Sequence, residues 1–451
     1  MVPFHFQGRT CLAIVLAAGE SSRMRSARPK VLHELAGRSM LSHVLSSLLE
    51  AGAERTVVVA GPNHDAIMAE AKTIVRDAGI AIQKERLGTA HAVLAAREAI
   101  ARGYDDLFVV FADTPLVRPE TFAAMRKALA GGQNAIAALG FEAKQPAGYG
   151  RFILENGALK AIREDRDASA AEREIKICNA GLMALDGRHA LALLSAIDNA
   201  NSQTEYYLTD IVAVARSRGF AAAAAIAAED EALGVNDRAQ LAAAESILQA
   251  RLRAKAMREG ATLIDPSSVT LAFDTRLSRD VVVEPHVVFG SGVSVGEGSR
   301  IRSFSYLEGA AIGQNVSVGP FARLRPGTGL AQDVHIGNFV EVKASDVGAG
   351  AKINHLSYIG DASIGATTNV GAGTITCNYD GFAKYRTEVG AQAFIGSNSA
   401  LVAPVKIGDG AYVGAGSVIT QDVTPDALAL ARAGQLEKPG WARAFRERNR
   451  K

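Results

Sequence analysis

The feature that most constrains this chain is a six-residue repeat between about Val283 and Val423, in which an apolar residue, often followed by glycine, returns at every sixth position. A period of six fits neither an α-helix, with 3.6 residues per turn, nor an isolated strand, with two. It is typical of stacked coils of short parallel strands around a thin core, so it predicts a parallel β-helix rather than a generic glycine- and valine-rich β domain. Three runs keep the register: Val283, Phe289, Val295, Ile301 and Leu307; Ile312, Val318, Leu324, Leu330, Ile336 and Val342; and Val389, Ile395, Leu401, Ile407, Val413 and Ile419.

Length and composition bound the remaining possibilities. A chain of 451 residues favours two or three domains, and 48% hydrophobic with 21% charged residues is typical of a soluble globular protein. The net charge of +2 does not favour nucleic acid or an anionic membrane as the main partner. Cys11, Cys178 and Cys377 lie far apart and predict neither a disulfide framework nor a zinc site. The apolar run after Arg9 is too short for a signal peptide or a membrane span, so a cytoplasmic location is expected.

The first half of the chain alternates short aliphatic runs with helix-like segments up to about Arg238. This alternation predicts a three-layer, Rossmann-like α/β domain with a mostly parallel sheet. Ligands of such sheets bind beyond the carboxyl ends of the strands. A long helix should follow, with Asp237 and Gln240 as a capping box. We therefore expect an α/β domain over 1–238, a linker helix over 239–259 and a β-helix domain over 260–451.

The first aliphatic run ends in LAAGESSRM, from Leu16 to Met24, and Lys30 follows shortly after. A tight glycine turn at a strand end exposes backbone N–H groups, and Arg23 and Lys30 add cationic donors, so the segment would suit a triphosphate. It lacks the GxxxxGK[ST] and GxGxxG patterns. By itself it is equally compatible with an ordinary strand–helix turn that carries surface charges.

The rest of this half carries further motifs, and together they resemble the sugar-1-phosphate nucleotidyltransferases. The motifs are LAAGESSRM with PKVL, Gln83 with LGTAHA, FADTPL, GYGR, Glu164, CNAG, EYYLTD and GVN, which cover the whole first half. The resemblance implies that a sugar 1-phosphate oxygen attacks the α-phosphorus of UTP and that pyrophosphate leaves. No side-chain nucleophile is needed for this reaction.

The same resemblance implies roles for individual residues. Asp113 and Asn236 would hold a divalent metal, and two oxygen ligands suit Mg²⁺ better than a soft metal. The chain departs from the family pattern at Glu20, Ser21 and Ala112, and we expect these differences to tune affinity without abolishing activity. Arg23 and Lys30 would neutralise phosphate charge, Gly150, Glu164 and Asn179 would contact the sugar, and Leu16, Ala17, Ala18, Gly19, Gln83, Gly88, Thr89, Phe111 and Ala112 would bind the nucleotide.

The β-helix half carries side chains that stacked coils do not need. They cluster in GPFARLRPG, GNFVEVK, NHLSYIGD and GAGTITCNYDG. At about 18 residues per coil, Arg325 and Lys343 should stack on neighbouring coils, with His355 and Tyr358 near the next turn. Cations, an imidazole and a phenol on one edge would form a pocket for an anionic sugar. The break in the six-residue register between about Thr376 and Glu388 predicts a loop that projects from the stack.

Both halves together resemble the family of bifunctional N-acetylglucosamine-1-phosphate uridyltransferases/glucosamine-1-phosphate acetyltransferases, with NHLSYIGD and TITCNYDG as specific motifs. The resemblance implies that His355 is the general base that removes a proton from the glucosamine amine as it attacks acetyl-CoA. An imidazole suits this role because its ordinary pKa lies near neutrality. It further implies that Arg325, Lys343, Tyr358 and Asn369 hold the sugar phosphate, and that Ala372, Asn378, Tyr379, Ser397, Ala415 and Arg432 line the acetyl-CoA site.

This family resemblance implies two successive reactions, acetylation of glucosamine 1-phosphate and then transfer of UMP from UTP to the product. The end product would be UDP-N-acetylglucosamine, a precursor of bacterial cell-wall and envelope polysaccharides. The partners would be small-molecule substrates, with Mg²⁺ as cofactor and acetyl-CoA and UTP as co-substrates, and neither nucleic acid nor membrane. A left-handed β-helix and a homotrimer with acetyl-transfer sites between subunits are also implied.

Two alternatives remain open at this point. The first is a nucleotidyltransferase whose β-helix only oligomerises, which the cluster of His355, Asn378 and Tyr379 disfavours. The second is a scaffold protein with two inactive enzyme folds, which the retained Asp113 and Asn236 disfavour.

Overall fold

The computed structural model describes residues 8–19 and 22–450. The chain divides into two compact units, Met1–Leu248 and Gln249–Lys451. The division falls inside a helix that runs over Arg238–Arg258. Glu20 and Ser21, where the sequence departs from the nucleotidyltransferase pattern, lie outside the described residues. Within the described ranges, the structure contains no helix with the length and apolarity needed to cross a membrane.

The first unit is built on one mixed sheet that is mostly parallel, as the sequence predicts. Its strands are β1 (Cys11–Leu16), β2 (Arg55–Ala60), β3 (Gly79–Ile82), β4 (Asp106–Phe111), β5 (Asn134–Glu142), β6 (Arg151–Glu155), β7 (Ala158–Arg163), β8 (Ile177–Asp186) and β9 (Ala221–Ala227). The main path of the sheet runs β9-β5-β8-β4-β1-β2-β3, and β8 is antiparallel to both β4 and β5. Strands β6 and β7 form a hairpin attached to β8. A separate small hairpin pairs Glu34–Leu35 with Arg38–Ser39.

Helices cover both faces of this sheet, which explains why β1 is apolar at every position. Cys11, Ala13 and Val15 face one core cluster, whereas the alternate residues of the strand face the other. The helices are α1 (Met40–Glu50), α2 (Asp65–Ile74), α3 (Thr89–Leu94), α4 (Arg97–Ile100), α5 (Pro119–Ala130), α6 (Ala170–Arg173), α7 (Gly187–Leu194), α8 (Ile211–Ser217) and α9 (Arg238–Arg258), with single 3₁₀ turns at Ser22–Met24, Lys30–Leu32, Leu208–Asp210 and Glu229–Glu231.

The second unit is a three-sided, left-handed parallel β-helix, and each of its faces is a sheet made from every third strand. Pro266–Ser268 is a 3₁₀ turn, and α10 (Trp441–Asn449) lies near the end of the chain. Face 1 contains Thr262–Leu263, Val282–Val283, Arg300–Ile301, Ser317–Val318, His335–Asn338, Lys352–His355, Asn369–Val370, Phe394–Ile395, Tyr412–Val413 and Leu428–Ala429. Face 2 contains Val288–Phe289, Tyr306–Leu307, Arg323–Leu324, Glu341–Lys343, Tyr358–Gly360, Ile375–Cys377, Ala400–Val402 and Val418–Ile419. Face 3 contains Arg276–Leu277, Ser294–Val295, Ala310–Ile312, Thr328–Leu330, Asp346–Val347, Ala362–Ile364, Thr387–Val389 and Val405–Ile407.

The residues of the six-residue repeat form the core of this β-helix. Every aliphatic position of the three predicted runs is buried, and all belong to one core cluster. The six-residue register is interrupted where the corner between faces 2 and 3 has one residue fewer than the other corners. This occurs between Leu307 and Ile312 and between Val342 and Val347, which are five positions apart instead of six. The predicted loop follows Ile375–Cys377, and Phe382 within it is 97% exposed.

Candidate active sites

A cavity of about 300 Å³ lies at the carboxyl ends of β1, β3 and β4 in the first unit. This is where a mostly parallel sheet is expected to bind its ligand. Ala112 is not among its lining residues, because it is buried and its N–H donates to the Leu16 carbonyl, 3.0 Å away, which ties β1 to β4. The predicted nucleotide residues that line the cavity are Leu16, Ala17, Ala18, Gly19, Lys30, Gln83, Gly88, Thr89, Phe111 and Asp113.

Gly88 shapes one wall of this cavity. Its φ is +114°, and a Cβ atom added there would lie 2.6 Å from the Tyr206 carbonyl oxygen, so only glycine fits. Gln83 donates from Nε2 to the Gly88 carbonyl at 3.4 Å. The Thr89 hydroxyl accepts a hydrogen bond from the Leu208 N–H at 2.9 Å. Gln83 and Thr89 therefore fix the close approach of two chain segments at the mouth of the cavity.

Lys30 brings the two predicted metal ligands together. Its ammonium pairs with the Asp113 carboxylate and donates to Asn236 Oδ1 at 3.0 Å. Arg23, which lines neither cavity of this site, donates to the same Oδ1 atom at 3.1 Å. The backbone N–H of Asn236 donates to the Gln240 side chain at 2.7 Å, so the start of α9 holds Asn236 in position.

These contacts test whether a divalent metal fits. The oxygens of Asp113 and Asn236 converge on one cationic atom, which is the arrangement that a hard cation requires. Among the described residues, no group of three or more His, Cys, Asp or Glu side chains has the arrangement of a metal site. The pair therefore fits an ion that takes few protein ligands and completes its shell with water and phosphate oxygens, as Mg²⁺ does.

A second cavity of about 260 Å³ adjoins the first and shares Thr89, Phe111 and Asp113 with it. It is lined by the predicted sugar residues Gly150, Glu164 and Asn179 together with Asn236. The backbone N–H of Asn179 donates to the Gly150 carbonyl at 2.8 Å.

Glu164 is the titratable group of this second cavity. Burial raises the pKa of Glu164, and the hydrogen bond that its carboxylate accepts from Thr209, at 2.9 Å, only partly opposes this. Thr209 was not predicted as a site residue and Gln240 was predicted only as part of a helix cap, yet each orients a neighbouring predicted residue.

In the second unit, Arg325 and Lys343 occupy equivalent positions on neighbouring coils, as predicted. Each cation has an acidic partner: Arg325 pairs with Glu341 at 2.9 Å, and Lys343 pairs with Asp361 at 3.2 Å. Asn378, at the start of the projecting loop, donates to the same Asp361 carboxylate. Burial opposes ionisation of Asp361, but the hydrogen bonds from Asn378 and Lys343 outweigh it and lower the pKa of Asp361.

His355 lies at the end of a face 1 strand and lines a cavity of about 330 Å³. Its Nδ1 atom is 2.8 Å from Oδ1 of Asn338, its direct neighbour one coil below. A carboxamide oxygen only accepts hydrogen bonds, so this contact keeps the imidazole proton on Nδ1 and leaves the lone pair on Nε2. Asn338 was missed in the sequence, although its spacing of one coil from His355 is a usable signal.

Four of the predicted acetyl-CoA residues stack along the corner between faces 1 and 2. Asn398, next to Ser397, donates from its backbone to the Ala372 carbonyl at 2.7 Å, and Gly416, next to Ala415, donates to the Ser397 carbonyl at 2.8 Å. Arg432 extends the stack, since its guanidinium donates to the Ala415 carbonyl at 2.6 Å. The other two, Asn378 and Tyr379, lie in the projecting loop, where the Tyr379 hydroxyl donates to the Gly381 carbonyl at 2.6 Å.

The predicted acetyl-transfer residues do not meet in one cavity of a single chain. His355 lies at the corner between faces 1 and 2, whereas Arg325 and Lys343 lie at the far end of face 2. Arg325, Lys343 and Tyr358 are not among the residues that line the cavity beside His355, and Asn369 lies on face 1, paired with Lys352. Positions 343 and 355 are two thirds of a coil apart, so they occupy different corners, contrary to the expectation of one edge.

Comparisons with known proteins agree with both halves of this description. A family model described as the MobA-like NTP transferase domain matches residues 13–177, and a model described as the bacterial transferase hexapeptide (six repeats) matches residues 386–421. The bifunctional protein GlmU of Xanthobacter autotrophicus is 61% identical over 438 residues, covering 97% of this chain and 98% of the relative. The GlmU proteins of Azorhizobium caulinodans and Agrobacterium fabrum are 58% and 52% identical, each over at least 97% of both chains. The chain therefore belongs to the family of bifunctional GlmU proteins, enzymes of UDP-N-acetylglucosamine biosynthesis that combine acetyl transfer with uridylyl transfer.

Proposed function

We propose that uridylyl transfer takes place where the two cavities of the first unit meet, beside Asp113. The observation that carries this proposal is the convergence of Lys30, Asp113 and Asn236 on one point at that junction. UTP would occupy the cavity lined by Gln83 and Gly88. N-acetylglucosamine 1-phosphate would occupy the cavity lined by residues 150, 164 and 179, with its phosphate directed toward the α-phosphorus of UTP.

Both reactants are anionic, so the main tasks of this site are alignment and neutralisation of charge. Asp113 and Asn236 would hold Mg²⁺, which supplies positive charge to the phosphate oxygens when bound. Lys30 and Arg23, already within hydrogen-bond distance of Asn236, would donate to the phosphates as the sugar phosphate oxygen attacks and pyrophosphate leaves. The 1-phosphate oxygen is itself the nucleophile, so the chain needs no nucleophilic side chain here.

For the acetyl-transfer site, we propose that Nε2 of His355 accepts a proton from the amine of glucosamine 1-phosphate. The nitrogen forms a bond to the thioester carbon of acetyl-CoA, the carbon–sulfur bond breaks, and the departing thiolate takes the proton from His355 to leave as the thiol. The contact between His355 and Asn338 supports this role, because it presents the unprotonated ring nitrogen. Arg325, Lys343, Tyr358 and Asn369 would hold the sugar phosphate, while the corner stack of Ala372, Ser397, Ala415 and Arg432, together with Asn378 and Tyr379, would hold acetyl-CoA.

We further propose that the working form is a homotrimer. The separation of His355 from Arg325 and Lys343 on one β-helix supports this, since a second copy could bring the two corners together. The corner between faces 1 and 2 also carries an exposed ladder of stacked rings, Phe304, Phe321 and Phe339, with centroids 5.0 and 5.2 Å apart. Such an apolar stripe is typical of a surface that another subunit covers.

A cytoplasmic location is part of the same proposal. Cys11, Cys178 and Cys377 are free cysteines, which is typical of proteins from a reducing compartment. UTP and acetyl-CoA, the two proposed co-substrates, are intracellular metabolites.

One experiment tests both site proposals on the same protein. Thiol release is measured with acetyl-CoA and glucosamine 1-phosphate, and pyrophosphate release with UTP and N-acetylglucosamine 1-phosphate. We expect His355→Ala to abolish thiol release and spare pyrophosphate release, and Asp113→Ala to do the reverse. If the wild-type chain releases pyrophosphate but no thiol, its β-helix only oligomerises; if it releases neither, both enzyme folds are inactive.

A further inference from the structure

Arg151, the first residue of β6, is a fully buried arginine that none of the proposed roles uses. Its residue exposure is 1%. The guanidinium donates to the Tyr149 carbonyl, to the Asp165 carboxylate at 3.1 Å and to the Arg173 carbonyl at 3.3 Å. Its Nε atom is buried without a hydrogen-bond partner among the described residues.

The segments that Arg151 joins are those that form the sugar cavity. Tyr149 lies between Gly148 and Gly150, and all three residues line the cavity. Asp165 follows Glu164, which also lines it. One planar guanidinium therefore fixes the glycine loop on one side of the proposed sugar site and the turn that carries Glu164 on the other.

Arg126 shows that a buried ion pair in this fold need not serve the site. It is also 1% exposed, and its Nε donates to the Asp106 carboxylate at 2.9 Å. Its other donors reach the carbonyls of Ala51, Gly52 and Arg9. None of these residues lines the proposed nucleotide cavity or the proposed sugar cavity. Arg126 and Arg151 are thus matched in burial, and each bonds one carboxylate and several backbone carbonyls, but they hold different chain segments.

We propose that Arg151 is a positioning residue for the sugar 1-phosphate, which sets the distance between the Gly150 loop and Glu164 without touching substrate. This proposal rests on the sugar site proposed above. Arginine is required because its fork can bond a carboxylate and two carbonyls at once, whereas a lysine ammonium at the same place reaches fewer of these acceptors and has different geometry. A loosened cavity should bind the sugar phosphate weakly and leave the nucleotide cavity intact.

The test compares Arg151→Lys with Arg126→Lys in the full chain. We expect Arg151→Lys to raise the KM for N-acetylglucosamine 1-phosphate about tenfold, with the KM for UTP changed less than about twofold. Arg126→Lys should lower thermal stability without this selective change in KM. Acetyl transfer by the same preparations reports on the second unit and should match wild type in both variants.

Asp165→Asn provides a second variant, since Asp165 is partly exposed and its change removes only the charged partner of Arg151. We expect it to raise the same KM, and the double variant to be no worse than Arg151→Lys alone, because the two residues act through one contact. Equal KM values for the sugar phosphate in wild type, Arg151→Lys and Asp165→Asn would overturn the proposal. An unchanged sugar KM in Glu164→Ala and Asn179→Ala would instead overturn the proposed sugar site itself, so the two failures are distinguishable.

Discussion

His355 and Asn338 are direct neighbours in the ladder of face 1, and Nδ1 of the imidazole lies 2.8 Å from Oδ1 of the carboxamide. The contact fixes both the orientation of the ring and the nitrogen that carries the proton. Asn338→Ala should therefore lower the kcat for thiol release by roughly 10- to 100-fold, with a smaller effect on the KM values. Asn338→Asp should retain much more activity, because a carboxylate also accepts from Nδ1. A wild-type kcat in Asn338→Ala would show that the contact plays no part in catalysis.

Gly88 is expected to tolerate no side chain. Both its φ of +114° and the close Tyr206 backbone oppose a Cβ atom. We expect Gly88→Ala to raise the KM for UTP at least about tenfold, the factor that corresponds to about 1.4 kcal/mol of strain. Gly103→Ala is the control, because Gly103 has a φ of +84° but no heavy atom within 4 Å of the added Cβ. Equal UTP kinetics in the two variants would contradict this account of the cavity wall.

The buried carboxyl of Glu164 should make the stability of the first unit depend on pH. Burial raises the pKa of Glu164 above its ordinary value of 4.5, so the folded chain binds this proton more tightly than the unfolded chain. The free energy of unfolding should consequently fall as pH rises from about 4.5 through the raised pKa.

Glu164→Gln removes this proton and keeps an oxygen that can accept from Thr209. Calorimetry of the full chain identifies the unfolding transition of the first unit as the one that added UTP shifts. In that transition, the variant should gain stability relative to wild type as the pH rises from 4 to 7. Glu155→Gln, at an exposed carboxylate, is the control. A difference between Glu164→Gln and wild type that does not change with pH would contradict the prediction.

Thr376 occupies a buried position at which the six-residue repeat calls for an aliphatic side chain. Its hydroxyl accepts a hydrogen bond from the Gly360 N–H at 2.8 Å. Thr376→Val should therefore destabilise the β-helix by about 1–3 kcal/mol, although it restores the apolar pattern, because a buried N–H loses its partner. Residual acetyl-transfer activity after graded heating measures the effect.

Thr328→Val is the matched variant for this comparison. The Thr328 hydroxyl donates to the carbonyls of Arg325 and Val342, which both accept backbone N–H groups as well. Thr328→Val should therefore lower the free energy of unfolding by less than Thr376→Val does. An increase in stability on Thr376→Val would mean that apolar volume dominates at this position.

The architecture of the β-helix could be predicted from the sequence because its period is a direct consequence of its geometry. Val283 and the other in-register residues each bury their side chain in one thin core, so the pattern survives without knowledge of distant contacts. The joins between the three runs were not predicted, because shortening a corner by one residue, as before Ile312, hides the continuity. Thr376 also hides the continuity of the repeat, because a polar residue occupies an aliphatic position there and its hydroxyl accepts a hydrogen bond from the Gly360 N–H.

Apart from Arg23 and Ala112, the predicted residues of the first unit line two adjoining cavities. The first of these cavities lies where the carboxyl ends of parallel strands meet at one edge of the sheet. The supporting residues could not be predicted in the same way. Gln240 was predicted as a helix-capping residue, but its hydrogen bond to the Asn236 N–H was not, and the residue type of Asn338 alone does not distinguish it from an ordinary surface amide. The separation of His355 from Lys343 was also missed, since it depends on which corner each position reaches.

The loop after Cys377 leaves the stack and returns to it without disturbing the ladder on either side. Ile364 pairs in register with Val389 across this insertion, as Val389 pairs with Ile407 on the next coil. Because each coil contacts only the coils above and below it, a corner can change in length while the rungs stay in place. The β-helix thus separates the part of the chain that must keep a fixed spacing from the part that is free to vary, and loops such as the one around Phe382 can diversify without refolding the rest.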